Sequence, residues 1–105
     1  MKTVLIRDIG KHNGEQVTLK GWLYNRRSSG KIQFLIIRDG TGFIQGVLVQ
    51  SEVSPEEWEL AANITQESSV EVTGTVKEDS RSPLGYELAI EKIEVISLAQ
   101  EYPIS

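Results

Sequence analysis

Residues 21–46 read GWLYNRRSSGKIQFLIIRDGTGFIQG, three strand-like segments separated by two turn signals. Ser28-Ser29-Gly30 interrupts the chain first, and Asp39-Gly40-Thr41-Gly42 interrupts it again, its glycine pair suiting a hairpin turn that needs positive φ. Between the turns, Ile32 to Ile37 is dense in β-branched and aromatic side chains, so the segments pair as a hairpin and continue as a meander. Upstream, Val17, Leu19 and Leu23 share one register, and Gly21 falls where a strand can bend sharply.

Beyond the third strand, Ser54-Pro55-Glu56-Glu57 supplies a capping serine, a proline at the first helical position and a glutamate three residues after the cap. A helix is expected there, with Trp58, Ala61, Ala62 and Thr65 as a narrow apolar stripe and Ser68-Ser69 closing it. Val70, Val72 and Val76 then alternate with Glu71, Thr73, Thr75 and Lys77, a half-buried strand with Gly74 as its bend. After the polar loop from Glu78 to Pro83, Leu88 and Ile90 share one face of a last strand, with Glu87, Ala89 and Glu91 on the other. Ile93 and Val95 fall in the opposite register, which predicts a bulge near Lys92.

Three strands, one helix and two strands, preceded by a short N-terminal helix or turn, is the element order of the all-β OB-fold. That fold is a five-stranded Greek-key barrel whose second and third strands bind single strands and sugars. An SH3-like barrel competes, but the capped helix between the third and fourth strands argues against it. With 105 residues and 39% hydrophobic composition the chain has material for one core, so a single domain spanning 1–105 is expected, residues 101–105 beginning an exit linker.

Composition narrows the chemistry. There is no cysteine, hence no disulfide, thiolate metal site or cysteine nucleophile, and the single histidine, His12, sits beside the Asn13-Gly14 turn signal and reads as a surface loop residue. Gly40-Thr41-Gly42 lacks the third glycine of a dinucleotide fingerprint and precedes a strand instead of a helix. Neither a catalytic site, a metal nor a cofactor is expected. The N-terminal apolar run Val4-Leu5-Ile6 is too short for a signal or a membrane span, so the expectation is a soluble cytoplasmic protein.

Charge points to binding. The chain carries net charge -4, yet Lys20, Arg26, Arg27, Lys31 and Arg38 fall in a stretch without an acid, while Glu52, Glu56, Glu57, Glu59 and Glu67 fall in one without a base. Such runs are ordinary solvated faces on charge alone. The aromatic Phe34 could serve as a stacking platform for a splayed base, and Gln45 could donate and accept toward a base edge. Periodicity leaves open whether Phe34 or the Leu35 and Ile37 register faces inward. Trp22, Tyr24 and Phe43 read as core or rim packing.

These residues carry a resemblance. GWLYNRRSSGKIQFLIIRDGTGFIQGV, the opening IRDIGKHNG, the VTGTV strand and the closing EYPI are similar to the N-terminal anticodon-binding domain of the class IIb aminoacyl-tRNA synthetases. Within that family RSSGKIQF, RDGTGFIQG and TQESSVEVTGTV most resemble the bacterial asparaginyl enzymes. The resemblance implies a noncatalytic module for asparagine tRNA, anticodon GUU, without the class II catalytic motifs and belonging to a homodimeric parent enzyme. The isolated domain is then expected to be a monomer. It further implies that Phe34 stacks outward on an anticodon base, Gln45 bonds the central uridine, Arg27 contacts the loop and Glu87 helps read the first base. Arg26 and Lys31 remain backbone contacts or structural ion pairs; Arg38 and Asp39 are expected to be structural. The alternative reading is an OB-fold protein-interaction module or engineered binding scaffold.

Overall fold

In the computed structural model, which describes residues 2–82 and 85–97, β1 (Lys2–Thr3) and a 3-10 helix (Ile6–His12) precede β2 (Gln16–Ser29), β3 (Ile32–Arg38) and β4 (Phe43–Val49). Helix α1 (Pro55–Asn63) then leads to β5 (Ser69–Glu78) and β6 (Tyr86–Ser97). Strands β2, β3 and β4 form the antiparallel meander, β4 pairs in parallel with β6, and β5 pairs with both β6 and β2. The ring is therefore closed and leaves no long unpaired edge, the arrangement of an OB barrel. β1 adds two residues parallel to β2; a segment that short has no periodicity by which it could be anticipated. The expected linker at 101–105 lies outside the described residues.

Inward side chains are those of one register on each strand: Val17, Leu19 and Leu23 on β2, Leu35 and Ile37 on β3, Ile44 and Leu48 on β4, Val70, Val72 and Val76 on β5, and Leu88, Ile90 and Ile93 on β6. Two glycines let the strands bend where backbones nearly touch. A Cβ at Gly21 would lie 2.2 Å from the Arg38 carbonyl oxygen, and one at Gly74 would lie 2.2 Å from that of Ala89. Opposite Gly74, the pairing jumps from Lys92 to Ile90 and leaves Glu91 over, so the bulge sits beside the expected Lys92 and moves the inward set from Leu88 and Ile90 to Ile93 and Val95.

A second bulge, in β2, decides more. Leu23 pairs with Ile37 and Asn25 with Ile36, so Tyr24 is the extra residue. Without it Arg27 would follow Leu23 into the inward register. With it, Arg26 pairs opposite the buried Leu35, and Arg27 pairs opposite Phe34 on the outer face.

Ser54 caps α1 as anticipated, its Oγ accepting the Glu57 N–H at 3.1 Å. The helix ends at Asn63, earlier than Ser68, because Ile64 turns to extended backbone and is itself buried; Ala62 is exposed and drops out of the expected stripe. Gly40 takes the positive φ expected of it, +89°, while Gly42 does not.

Candidate nucleic-acid interface

The orientation that periodicity leaves open is resolved by β3. Gln33, Leu35 and Ile37 point into the barrel, and Ile32, Phe34, Ile36 and Arg38 line the outer surface. Gln33 is the surprise: it is buried, donating through Nε2 to the Trp58 carbonyl at 3.3 Å, while its Oε1 has no hydrogen-bond partner among the described residues. A glutamine among apolar residues gave no signal of burial; its role is to tie β3 to α1.

Strand pairing aligns the outer residues in rows. Arg27, Phe34 and Val47 form one row, and Asn25, Ile36, Gln45 and Glu87 the next. The guanidinium of Arg27 lies 4.6 Å from the centre of the Phe34 ring and holds it by cation–π attraction. Arg27, Phe34, Gln45 and Glu87 together line a cavity of about 330 Å³, completed by Asp79, Arg81 and Ser82 from the turn after β5. That volume falls at the small end of the range for ligand pockets. Four residues from four strands, β2, β3, β4 and β6, thus converge on one cleft. Asp79 and Arg81, which sequence reasoning passed over, stand in it too; nothing but their position in a polar loop distinguished them.

The cleft is electrostatically mixed. Arg81 donates to Asp79 Oδ1 from its backbone N–H at 3.0 Å and from Nε at 3.2 Å, which holds the Asp79 carboxyl below its ordinary range. Burial pushes the Glu87 carboxyl up, and the neighbouring Asp79 charge and a hydrogen bond between the two carboxyls push it further in the same direction. Arg81 and Lys77 oppose that rise.

Arg26 borders a neighbouring cavity of about 180 Å³ together with Arg27, Phe34 and Gln45, while Lys31 lines neither cavity. The Arg26 guanidinium turns under the barrel, where Nη1 donates to the Ala61 carbonyl at 3.0 Å and the Ile64 carbonyl at 2.5 Å, tying β2 to the end of α1. Lys31 is exposed at the turn between β2 and β3. Arg38 pairs with Glu67 at 2.7 Å, and Asp39 accepts the Ile6 N–H at 2.9 Å and the Thr41 hydroxyl at 2.6 Å, so both are structural. Burial would raise the Asp39 carboxyl, but these bonds and those of the nearby backbone outweigh it and hold it below its ordinary value.

Trp22, Tyr24 and Phe43 do not pack in the core. They are 40%, 42% and 45% exposed, because the row Trp22, Arg38, Phe43 belongs to the outward register and Tyr24 is the bulged residue. Arg38 lies 5.7 Å from the Trp22 and Tyr24 rings, and Tyr24 meets Phe43 edge to face at 5.0 Å. His12 is likewise on the 3-10 helix, half-buried, with Nδ1 at 3.1 Å from Glu15.

The family of OB-fold nucleic acid binding domains named for the tRNA anticodon matches residues 17–96, which include Arg27, Phe34, Gln45 and Glu87. The chain belongs to that family. An asparagine-tRNA ligase of Desulforamulus reducens is 60% identical over all 105 residues, which amount to 24% of its length. One from Pelotomaculum thermopropionicum is 50% identical over the same span and fraction. The crystal structure of asparaginyl-tRNA synthetase from Pyrococcus horikoshii matches with a TM-score of 0.89 at 40% identity, covering 100% of this chain and 24% of that one. The chain therefore corresponds to the N-terminal, anticodon-binding portion of asparaginyl-tRNA synthetases, and the catalytic domain of those enzymes lies outside it. Identity of this degree across the whole domain does not favour the interaction-module alternative. Among the described residues of this anticodon-binding domain, no helix is long and apolar enough to cross a membrane.

Proposed function

We propose that the domain reads the GUU anticodon of asparagine tRNA through the cleft beside Phe34, as the recognition module of a cytoplasmic, homodimeric asparaginyl-tRNA synthetase. The observation that carries the reading is the convergence of a stacking ring, an amide, a guanidinium and a carboxylate on one cavity of about 330 Å³. Each group matches one need of a splayed base. Phe34 offers a π-face; the Gln45 amide can donate to a uridine carbonyl and accept its imino N–H; Glu87 can accept the two Watson–Crick N–H donors of guanine; Arg27 can meet phosphate or ring. Arg26 commits its Nη1 to the carbonyls at the end of α1.

Binding by the isolated domain is weak and only modestly salt-dependent, since few phosphates are met and the contacts elsewhere in a full synthetase that raise effective concentration are missing. Titration with a GUU anticodon stem-loop tests the reading. Phe34→Ala is expected to weaken binding roughly 5- to 150-fold, the worth of one base stack. Unchanged affinity in both Phe34→Ala and Gln45→Ala would remove the site assignment. A stem-loop changed only in the third base, GUC, separates asparagine from aspartate tRNA as the partner.

A further inference from the structure

Phe34 borders two cavities. The larger, of about 330 Å³, carries Glu87; the smaller, of about 180 Å³, shares Arg27, Phe34 and Gln45 with it and is completed by Asn25, Arg26 and Ile36. The smaller cavity has no base assigned to it in the anticodon reading. Glu87, Gln45, Ile36 and Asn25 stand in that order across β6, β4, β3 and β2, one strand per step of about 4.8 Å. Asn25 owes its place in this row to the bulge, being the first paired residue after Tyr24. Its amide is held one way round: Oδ1 accepts the Arg26 N–H at 2.8 Å, and Nδ2 makes no hydrogen bond among the described residues. What Asn25 has left to offer a ligand is therefore a donor.

We propose that Asn25 is the specificity-determining residue for the third anticodon base, its NH2 group donating to the 4-oxygen of a uridine held in the smaller cavity. The inference rests on the anticodon reading: with the central uridine at Phe34 and Gln45 and the first-base guanine at Glu87, the third base continues along the row away from Glu87, and Asn25 stands at that end. Uridine presents a carbonyl acceptor at its 4-position, cytosine an amino donor. Against cytosine the Asn25 NH2 meets a second NH2, and both donors go unpaired once the base has displaced water. A free asparagine escapes this conflict by turning its amide over. Here that rotation deprives the Arg26 N–H of its acceptor, so the bond from Arg26 is what makes the amide discriminate.

The other polar groups around the smaller cavity are less suited to that choice. Arg26 is anchored through Nη1 to the Ala61 and Ile64 carbonyls, which also fixes the backbone N–H that Asn25 holds. The Arg27 guanidinium lies over the Phe34 ring. Gln45 borders both cavities and, in the anticodon reading, is engaged by the central base. Ile36, half-buried between Asn25 and Gln45, offers an apolar floor on which a pyrimidine ring can rest.

Equilibrium titrations of GUU and GUC stem-loops against wild type, Asn25→Ala and Asn25→Asp test the proposal. Wild type should bind GUU roughly tenfold more tightly than GUC, the effect of leaving one covered donor unpaired. Asn25→Ala, with neither donor nor acceptor, should bring the ratio near one. Asn25→Asp keeps an oxygen for the Arg26 N–H and turns a second acceptor to the base, so the preference should reverse toward GUC even as the added negative charge weakens both RNAs. Position 25 is exposed, and thermal melts check that both variants remain folded. A GUU to GUC ratio unchanged in both variants would overturn the proposal and leave the anticodon reading standing. So would a wild-type ratio near one with binding still weakened by Phe34→Ala. Binding of neither stem-loop to the wild-type domain would overturn the anticodon reading and this proposal together.

Discussion

Adjacent arginines with opposite duties give the sharpest test of the structure. Replacing Arg26 by methionine keeps the aliphatic stem and removes the guanidinium that donates to the Ala61 and Ile64 carbonyls at 3.0 and 2.5 Å. Hydrogen bonds with one charged partner contribute about 1.5 to 3 kcal/mol each. Here a single nitrogen makes both bonds at a half-buried site where water can replace it in part, so their joint contribution is about 2 kcal/mol. For a domain of this size that corresponds to a melting temperature lower by roughly 8 to 16 °C. Arg27→Met removes only an exposed cation–π contact, about 0.5 kcal/mol, and should cost roughly 2 to 4 °C. Thermal melts followed by circular dichroism give both numbers, and the GUU stem-loop titration gives the complement: Arg27→Met weakens binding, and Arg26→Met leaves it near wild type at temperatures where it is folded. A melt of Arg26→Met within about 3 °C of wild type, or no lower than that of Arg27→Met, would refute the assignment of Arg26 to the helix end.

Other expectations follow from the same geometry. Gly74→Ala should be the more costly of two glycine substitutions, about 3 kcal/mol by chemical denaturation, because its Cβ meets backbone oxygen at 2.2 Å; Gly46→Ala meets the terminal methyl of Ile90 at 2.5 Å and should cost less. Ser54→Ala should lower stability by about 1 kcal/mol, read as a melting shift of roughly 4 to 8 °C, through loss of the bond to Glu57. Asp39 is held below its ordinary pKa of 3.8, so it contributes stability above the unfolded-state value, lost as pH falls through the lowered folded value. Asp39→Asn should therefore be less stable at neutral pH and show a flatter acid limb in melts taken across that window.

Much of the barrel was legible because its signals are local. Ser54-Pro55 announces a helix start within four residues, Gly40 announces a turn, and the change of register between Ile90 and Ile93 announces a bulge. What was not legible depends on what lies opposite. Trp22, Tyr24 and Phe43 have the composition of core residues but stand outside, because the inner register of the same strands is already filled by Leu23, Ile37 and Ile44. Gln33 lies inside because α1 brings the Trp58 carbonyl to it.

The cleft divides the same way. Phe34, Gln45, Arg27 and Glu87 could be named from motif likeness, and turn chemistry put the first three on neighbouring strands. That Arg27 and not Arg26 faces Phe34 was decided by the one extra residue at Tyr24, since a single-residue slip exchanges the two faces of a strand. Asp79 and Arg81 joined the cleft only when the ring closed through β6 and carried the turn after β5 to the side of Glu87. Alternation and turn preference are properties of a few consecutive residues and survive in the sequence. Facing and convergence arise from pairing between strands tens of residues apart, and they exist only once the barrel has closed.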